Sequence, residues 1–264
     1  MRALPLARLT AVLLAHALAA FAQAGSDGRQ AYLALIHHVK PAEAAEYVRS
    51  NRQYAAALAS HNVSEPILRW NAYADDDSYN FLWLYPIEHL NDIETLASAE
   101  SRIDERIRKE RWDAGSDLHN SVDHSEEFVI RDEPSLSRLP ADLEAWSQQS
   151  CEFRLFYASG GYGGSDANVR ELWRKYQAAF PPKDAESHYR ILRVLIGLER
   201  PLWVVEHCGS SWETIRQQQD QESKAAGSDG AQVMEEFRKY VRKAEVWRFR
   251  FDAEMSYPRA AARP

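Results

Sequence analysis

Beyond Phe21 no stretch of the chain approaches the roughly 20 consecutive apolar residues that a membrane-spanning helix needs, so the body of the sequence offers no membrane span. The basic excess of a nucleic-acid binder is missing as well. The formal charge is −7, and displacing counterions from phosphates takes a cationic face. Arg102, Arg106, Arg108, Lys109 and Arg111 do cluster, but Asp104, Glu105, Glu110 and Asp113 interleave with them, the pattern of a solvated helix face. Phosphate loops of the G-x-x-x-x-G-K-[ST] or G-x-G-x-x-G kind are absent, and so is the G-x-S-x-G elbow of hydrolases. No histidine pair has H-x-x-x-H or H-E-x-x-H spacing, and Asp75-Asp76-Asp77 lacks the spacing of a calcium loop. The sequence therefore calls for no metal and no cofactor. Cysteine is reduced to one pair, Cys151 and Cys208.

What is present begins with a leader pattern. Arg2 and Arg8 flank a basic start, Leu9 to Phe21 is apolar, and Ala22-Gln23-Ala24 supplies small residues at cleavage positions, the layout of a secretory signal. Residues 1–24 are expected to be removed, and no cysteine follows the site to carry a lipid. Those residues hold two arginines and no acid, so their loss shifts the charge from −7 to −9. The expected location is secreted or periplasmic, with no membrane association after cleavage.

The body of the chain is written twice, at an offset of about 120 residues. Tyr32-Leu33-Ala34-Leu35 has its counterpart in Phe153-Arg154-Leu155-Phe156, Ile67-Leu68-Arg69 in Ile191-Leu192-Arg193, Leu82-Trp83-Leu84 in Leu202-Trp203-Val204, and Glu94-Thr95-Leu96 in Glu213-Thr214-Ile215. The order is kept, so a tandem duplication is the natural reading. Each half reads strand, helix, two strands, helix, strand. In the first, Ala31 to Val39 is a strand, Pro41 opens a helix to about Ser60, Pro66–Tyr73 and Tyr79–Tyr85 form a hairpin, a broken helix runs from Ile87 to Trp112, and Ser121–Ile130 is the fourth strand. The second repeats this with strands near 151–158, 189–196, 202–208 and 244–252, and helices near 166–180 and 210–240. The expected layout is a signal peptide (1–24), repeat one (30–130), a linker (131–150) with Pro134 and Pro140, and repeat two (151–253).

A βαββαβ unit covers one face of a four-stranded antiparallel sheet with helices and leaves the other bare. Two such units cover each other by closing an eight-stranded barrel. The fold class is therefore α+β: two tandem ferredoxin-like repeats forming an intrachain α/β barrel. A monomer suffices for this, and nothing in the pattern forbids a larger assembly. Ser159 to Ser165, dense in glycine between a strand and a helix, reads as a connector or a lid over one barrel mouth.

Three features carry a resemblance: Val39-Lys40-Pro41 turning the first strand into a helix, the hairpin across Asp75-Asp76-Asp77, and the step from Leu84-Tyr85-Pro86 into Ile87-Glu88-His89-Leu90. In these the chain resembles the dimeric α/β-barrel (ferredoxin-like) superfamily, with its antibiotic-biosynthesis-monooxygenase-like and NIPSNAP-like proteins, as a tandem duplication. The resemblance covers both halves and implies the fold. It implies less about chemistry, since members include cofactor-free oxygenases, haem enzymes and proteins with no known reaction. No haem ligand carries over.

Candidate site residues follow from strand alternation. Tyr79, Phe81, Trp83 and Tyr85 share one face of their strand and Leu82 and Leu84 the other. The aromatic set is assigned to the barrel interior, with Trp203, Val205 and His207 in the second half, and Leu82, Leu84, Leu202 and Val204 are assigned to the helices. Arg69, Asn71 and Tyr73 are the matching residues on the hairpin partner, with Arg193 in repeat two. His38 is expected on the barrel side near the end of its strand. The pocket candidates are thus His38, Arg69, Tyr73, Tyr79, Trp83, Tyr85, Arg193, Trp203 and His207, which suit a flat, partly anionic small molecule. The leading expectation is a small aromatic or hydrophobic ligand inside the barrel. The alternatives are a cofactor-free oxygenase-like enzyme, in which His38, Arg69 or Tyr73 orients or deprotonates the substrate, and an interaction module with a filled barrel. Whether the interior is a pocket or a packed core separates them.

Cys151 begins the first strand of repeat two and Cys208 ends the third. These strands are antiparallel neighbours in a βαββαβ sheet, so the pair is expected to form a disulfide in an oxidising compartment. Both cysteines are expected on the helix side, and Arg154 on the barrel side.

Overall fold

The protein is described from a computed structural model, over residues 29–60, 68–75, 78–108, 120–159, 165–180 and 188–258. The leader, Pro66 and Ile67, Asp76 and Asp77, Lys109 and Arg111, and the glycine stretch 160–164 lie outside the described residues. Repeat one comprises β1 (Ala31–Val39), α1 (Ala44–Ser60), β2 (Asn71–Asp75), β3 (Asn80–Ile87), α2 (Asn91–Arg108) and β4 (Val122–Asp132). A connecting segment holds the short helix α3 (Leu143–Ser147). Repeat two comprises β5 (Ser150–Ala158), α4 (Ser165–Ala178), β6 (Arg190–Ile196), β7 (Leu202–Gly209), α5 (Trp212–Arg238) and β8 (Val241–Phe251).

Local signals account for the helix ends. Pro41 leads a turn of 3-10 helix into α1, with its fixed φ suited to a helix start. Tyr47, Ser50, Asn51, Ala55 and Leu58 then form one buried stripe. The Asp142 carboxylate accepts from Ala145 N at the start of α3, and Ser211 Oγ accepts from Thr214 N at the start of α5. Gly227 sits at φ 58° and kinks α5 within one long helix.

All eight strands join in one closed antiparallel barrel, in the order β1-β3-β2-β8-β5-β7-β6-β4. Each repeat contributes four neighbouring strands, and β2–β8 and β4–β6 pairing seals the two seams. Alternating strand direction brings the C-terminal ends of β1 and β5 to one mouth and their N-terminal ends to the other. The repeats superpose by register: His38↔His124 in β1–β4 matches Tyr157↔Lys243 in β5–β8, both 119 residues on, and each pair of strands has a bulge one residue further along.

Three buried clusters show which way the strands face. Phe81, Trp83, Tyr85 and Ile87 pack with Tyr47 and Leu58 of α1 and Leu96, Ala99 and Ile103 of α2. Ile191, Trp203 and Val205 pack with Val169, Leu172 and Trp173 of α4 and Phe237 of α5. The third cluster draws on all eight strands and on no long helix. Ala34, Ile36, Tyr73, Leu82, Leu84, Phe128, Ile130, Phe153, Leu155, Leu192, Val194, Leu202, Val204 and Phe249 fill the lumen, with Trp146 of α3 packed among them. The expected orientation is therefore inverted. Leu82, Leu84, Leu202 and Val204 line the interior, and Phe81, Trp83, Tyr85, Trp203 and His207 face the helices, as a one-residue slip in facing requires.

The Cys151–Cys208 disulfide is present, between residues directly paired across β5 and β7. It belongs to the interior cluster rather than the helix side. Arg154 is corrected with it: its guanidinium points outward and donates to Glu152 and to Gln219 of α5.

The mouth at the N-terminal ends of β1 and β5 holds an enclosed charge network. Arg190, fully enclosed, donates to both Asp132 carboxylate oxygens (2.8 and 2.9 Å), to Glu206 (3.2 Å) and to the Tyr32 hydroxyl (2.6 Å). Beside it Glu133, also buried, accepts two bonds from Arg170 of α4, which ties the segment after β4 to repeat two.

Candidate functional site

A cavity of about 510 Å³ opens between the outer face of the repeat-two sheet and helices α4 and α5. The sheet supplies Arg154, Phe156, Tyr189, Val205 and His207 to its wall. Helix α4 supplies Trp173 and Tyr176, three residues apart and so on one face. Helix α5 supplies Glu222, Ala226 and Gly230, every fourth residue, a stripe with little bulk that leaves the space open. A Cβ at Gly230 would come within 2.3 Å of the Ala226 Cβ, so even one methyl there forces a shift.

The chemistry of this cavity centres on His207. Its Nε2 lies 2.8 Å from Glu222 Oε2, and the other Glu222 oxygen accepts from the Tyr176 hydroxyl at 3.2 Å. With Glu222 as the carboxylate, Nε2 carries the proton; in the neutral ring Nδ1 is then the acceptor. Nδ1 has no partner among the described residues, although His207 is 3% exposed. The Trp173 Nε1–H and the Tyr189 hydroxyl are likewise buried and unpartnered, and both residues line the same cavity. A buried polar group without a partner costs about 1–3 kcal/mol. All three belong to residues that line the cavity, and the atoms themselves are enclosed by protein.

The phenols here hold their protons. Burial pushes the Tyr189 hydroxyl well above the ordinary tyrosine range, and the nearby Glu222 carboxylate pushes it further. Burial does the same to Tyr176, again reinforced by Glu222. Tyr189 and Trp173 are thus neutral donors, and His207 is the acceptor beside them. The His207 and Tyr189 rings lie 6.2 Å apart, centre to centre, so a small planar molecule could reach both.

Of the pocket residues expected from sequence, His207 alone lines this cavity. Trp203 and Arg193 sit nearby on the same side of the sheet: Trp203 Nε1 donates to Asp166 at 3.1 Å, and Arg193 pairs with the other Asp166 oxygen at 2.5 Å and lies over the Trp203 ring. Trp83 donates to the Tyr47 hydroxyl, and Tyr85 packs beside Trp70, both in the helix layer of repeat one. Tyr73 is inside the barrel and donates to Ser147 O. Arg69 and Tyr79 are exposed. His38 has the facing of Ala34 and Ile36, at the mouth where β1 ends, and so lies on the barrel side. Trp173, Tyr176, Tyr189 and Glu222 were not singled out from sequence. The small Ala226 and Gly230 of α5 are visible in the sequence, but nothing there shows what they face.

No protein-family model matches this chain, and no curated protein matches its sequence. Solved structures do align with it. An anthrone oxidase-like protein aligns over 91% of this chain and 98% of its own, at 12% identity and a TM-score of 0.54. A protein from Fusobacterium nucleatum subsp. nucleatum that carries a provisional monooxygenase designation aligns over 84% and 92%, at 8% identity and a TM-score of 0.52. At such identities the likeness is one of fold. The chain has the dimeric α/β-barrel fold, with both ferredoxin-like halves in one polypeptide.

Proposed function

We propose that this protein binds a small aromatic molecule between the repeat-two sheet and helices α4 and α5, and that it acts there as a cofactor-free oxygenase. The observation that supports the reading is that His207, Tyr189 and Trp173, each with a buried polar atom lacking a partner among the described residues, line one cavity. His207, oriented by Glu222, removes a proton from an acidic C–H or O–H of the substrate. Tyr189 and Trp173 donate to the oxygen on which negative charge develops. The electron-rich ring carbon then reacts with dioxygen. For an anthrone the balance is anthrone plus O2 giving anthraquinone plus water, with the CH2 carbon oxidised and dioxygen reduced. The names of the two aligned structures, an anthrone oxidase-like protein and a designated monooxygenase, agree with this class of reaction. The packed lumen counts against both readings that placed a ligand or substrate inside the barrel and, on that criterion, favours the interaction module with a filled barrel; the oxygenase reading proposed here rests on the outer face of the sheet instead.

The test is oxygen uptake with anthrone as the probe, alongside the absorbance of the anthraquinone formed. His207→Ala is expected to slow turnover by about 100-fold, the lower end of what a positioned acid–base group contributes, while anthrone still quenches the cavity tryptophan, Trp173. Uptake by the wild type no faster than in buffer, or equal rates in wild type and variant, would overturn the proposal.

We also propose that the protein works outside the cytoplasm. The basic start followed by an apolar run within residues 1–24 supports export, and a buried disulfide suits an oxidising compartment. Fractionation of cells expressing the full chain is expected to recover a shortened protein outside the cytoplasm. An uncut protein in the cytosol would contradict this.

A further inference from the structure

The barrel mouth at which β1 and β5 end carries two side-chain trios, one from each repeat, that occupy equivalent positions and differ in chemistry. In repeat two, Tyr157, Lys243 and Glu245 form a closed set. The Glu245 carboxylate accepts from Tyr157 at 2.9 Å and pairs with the Lys243 ammonium at 2.6 Å, which also lies 4.7 Å above the Tyr157 ring. The residues 119 positions earlier are His38, His124 and Glu126, as the shared register of β1–β4 and β5–β8 requires. His124 stands directly across from His38 in the ladder, and Glu126 follows two residues later on the same face of β4. The carboxylate is kept, but the fixed ammonium and the phenol are each replaced by an imidazole. Where repeat two supplies its own cation to the carboxylate, repeat one supplies two nitrogen lone pairs.

We propose that His38, His124 and Glu126 bind one divalent transition-metal ion of borderline softness, of the Zn2+ or Co2+ kind. Two imidazoles and a carboxylate are a donor set such ions favour. The three ligand atoms lie within 4.8 Å of one another, and His38 Nε2 is already 3.1 Å from Glu126 Oε1. Ligands at 2.0–2.2 Å around a tetrahedral ion sit roughly 3.4 Å apart. Closing the set needs rotamer adjustments at the mouth, where His124 is 58% exposed and Glu126 37%. The rings of His38 and His124 are stacked at 4.0 Å with planes 8° apart, so their in-plane lone pairs run parallel and one ring must turn for both to meet one ion, while Asp123 holds His124 Nδ1 at 3.0 Å. Three protein ligands leave at least one coordination position for water or a ligand at the mouth. The spacing rules that argued against a metal look for ligands along one segment. Here His38 stands 86 residues before His124 and 88 before Glu126, on another strand, and only the ladder brings them together.

The test uses the untagged, disulfide-intact protein, stripped with a chelator and titrated with Co2+ alone, read by its visible ligand-field absorption and by equilibrium dialysis. One ion per chain is expected, displaced by Zn2+. His38→Ala, His124→Ala and Glu126→Gln are each expected to weaken binding about 100-fold or more, since losing a direct ligand costs at least as much as losing its supporting partner. Glu245→Gln, in the equivalent trio, should leave Co2+ binding unchanged. Circular dichroism identical to wild type establishes that each variant is folded, and His124→Ala, at the most exposed of the three positions, is the decisive one. Absence of saturable binding at micromolar Co2+, or wild-type affinity in folded His124→Ala, would overturn the proposal. The readout is metal occupancy, so it stands or falls independently of the oxygenase reading.

Discussion

Replacing Arg190 by Met is expected to destabilise the protein by about 3–5 kcal/mol, the range for removing one partner of a buried ion pair. For a chain of this length that corresponds to a fall in Tm of roughly 10 °C. The reason is what remains behind. Asp132 and Glu206 both face the guanidinium inside the closed barrel mouth, and neither has bulk water to turn to. Methionine fills the stem's volume but leaves two carboxylates enclosed without a counter-charge. Burial, against the pull of Arg190, already holds both carboxyls above their ordinary range in the wild type. A carboxyl raised on folding binds protons more tightly in the native state, so its contribution is fully present below the unfolded value and is lost as pH rises through the folded one. Losing the guanidinium raises both carboxyls further and widens that window. The deficit of Arg190→Met should therefore be smaller near pH 5 than near pH 8, measured by urea unfolding at each pH. A deficit independent of pH would show that the carboxylates are not the groups penalised.

Removing the disulfide is the second large effect expected. The bridge closes a loop of 57 residues, worth about 4 kcal/mol on the loop-entropy estimate. The double variant Cys151→Ala/Cys208→Ala is the cleaner probe, because serines would add buried hydroxyls to an apolar cluster. Thermal unfolding should fall by roughly 12 °C, and the wild type with an added reductant strong enough to open the bridge should fall with it. If the double variant melted with the wild type, the cross-link would contribute nothing beyond packing. The cysteines sit at the first residues of β5 and the last of β7, next to Glu206, so this bridge and the Arg190 network share one end of the barrel. Effects of combining the two changes should deviate from additivity.

The fold and the disulfide were legible in the sequence for the same reason: both depend on connectivity. A duplicated strand-helix-strand order fixes which strands neighbour one another, and Cys151 and Cys208 then fall opposite each other whatever face they occupy. Facing was not legible from β3. Its five central residues Phe81 to Tyr85 are all buried, because a barrel strand covered by helices has no wet side, so alternation divides the residues into two sets without saying which is inside. In β5, Glu152 and Arg154 alternate with Phe153, Leu155 and Tyr157, and in the structure that charged pair lies on the helix side, unlike Arg190, Asp132 and Glu206, which enter the lumen at the mouth as a paired set. Assigning the aromatic set of β3 to the lumen carried Trp83, Tyr85, Trp203 and His207 with it, and the helix-side placement of the cysteines carried Arg154. The cavity depended on an absence of bulk on α5 opposite a histidine on β7, a relation between segments 15 residues apart that only the packed structure supplies.

Joining the two halves in one polypeptide changes what each half is free to become. A barrel assembled from two identical chains dissociates on dilution, and every substitution enters it twice. Here the β2–β8 and β4–β6 seams are intramolecular, so closure does not depend on protein concentration, and a change on one side leaves the other untouched. That freedom is visible in the differences between the halves: aromatic packing around Trp83 in one against an open cavity at His207 in the other, and two histidines beside Glu126 where the sister carboxylate has a lysine. Fusion made asymmetry heritable.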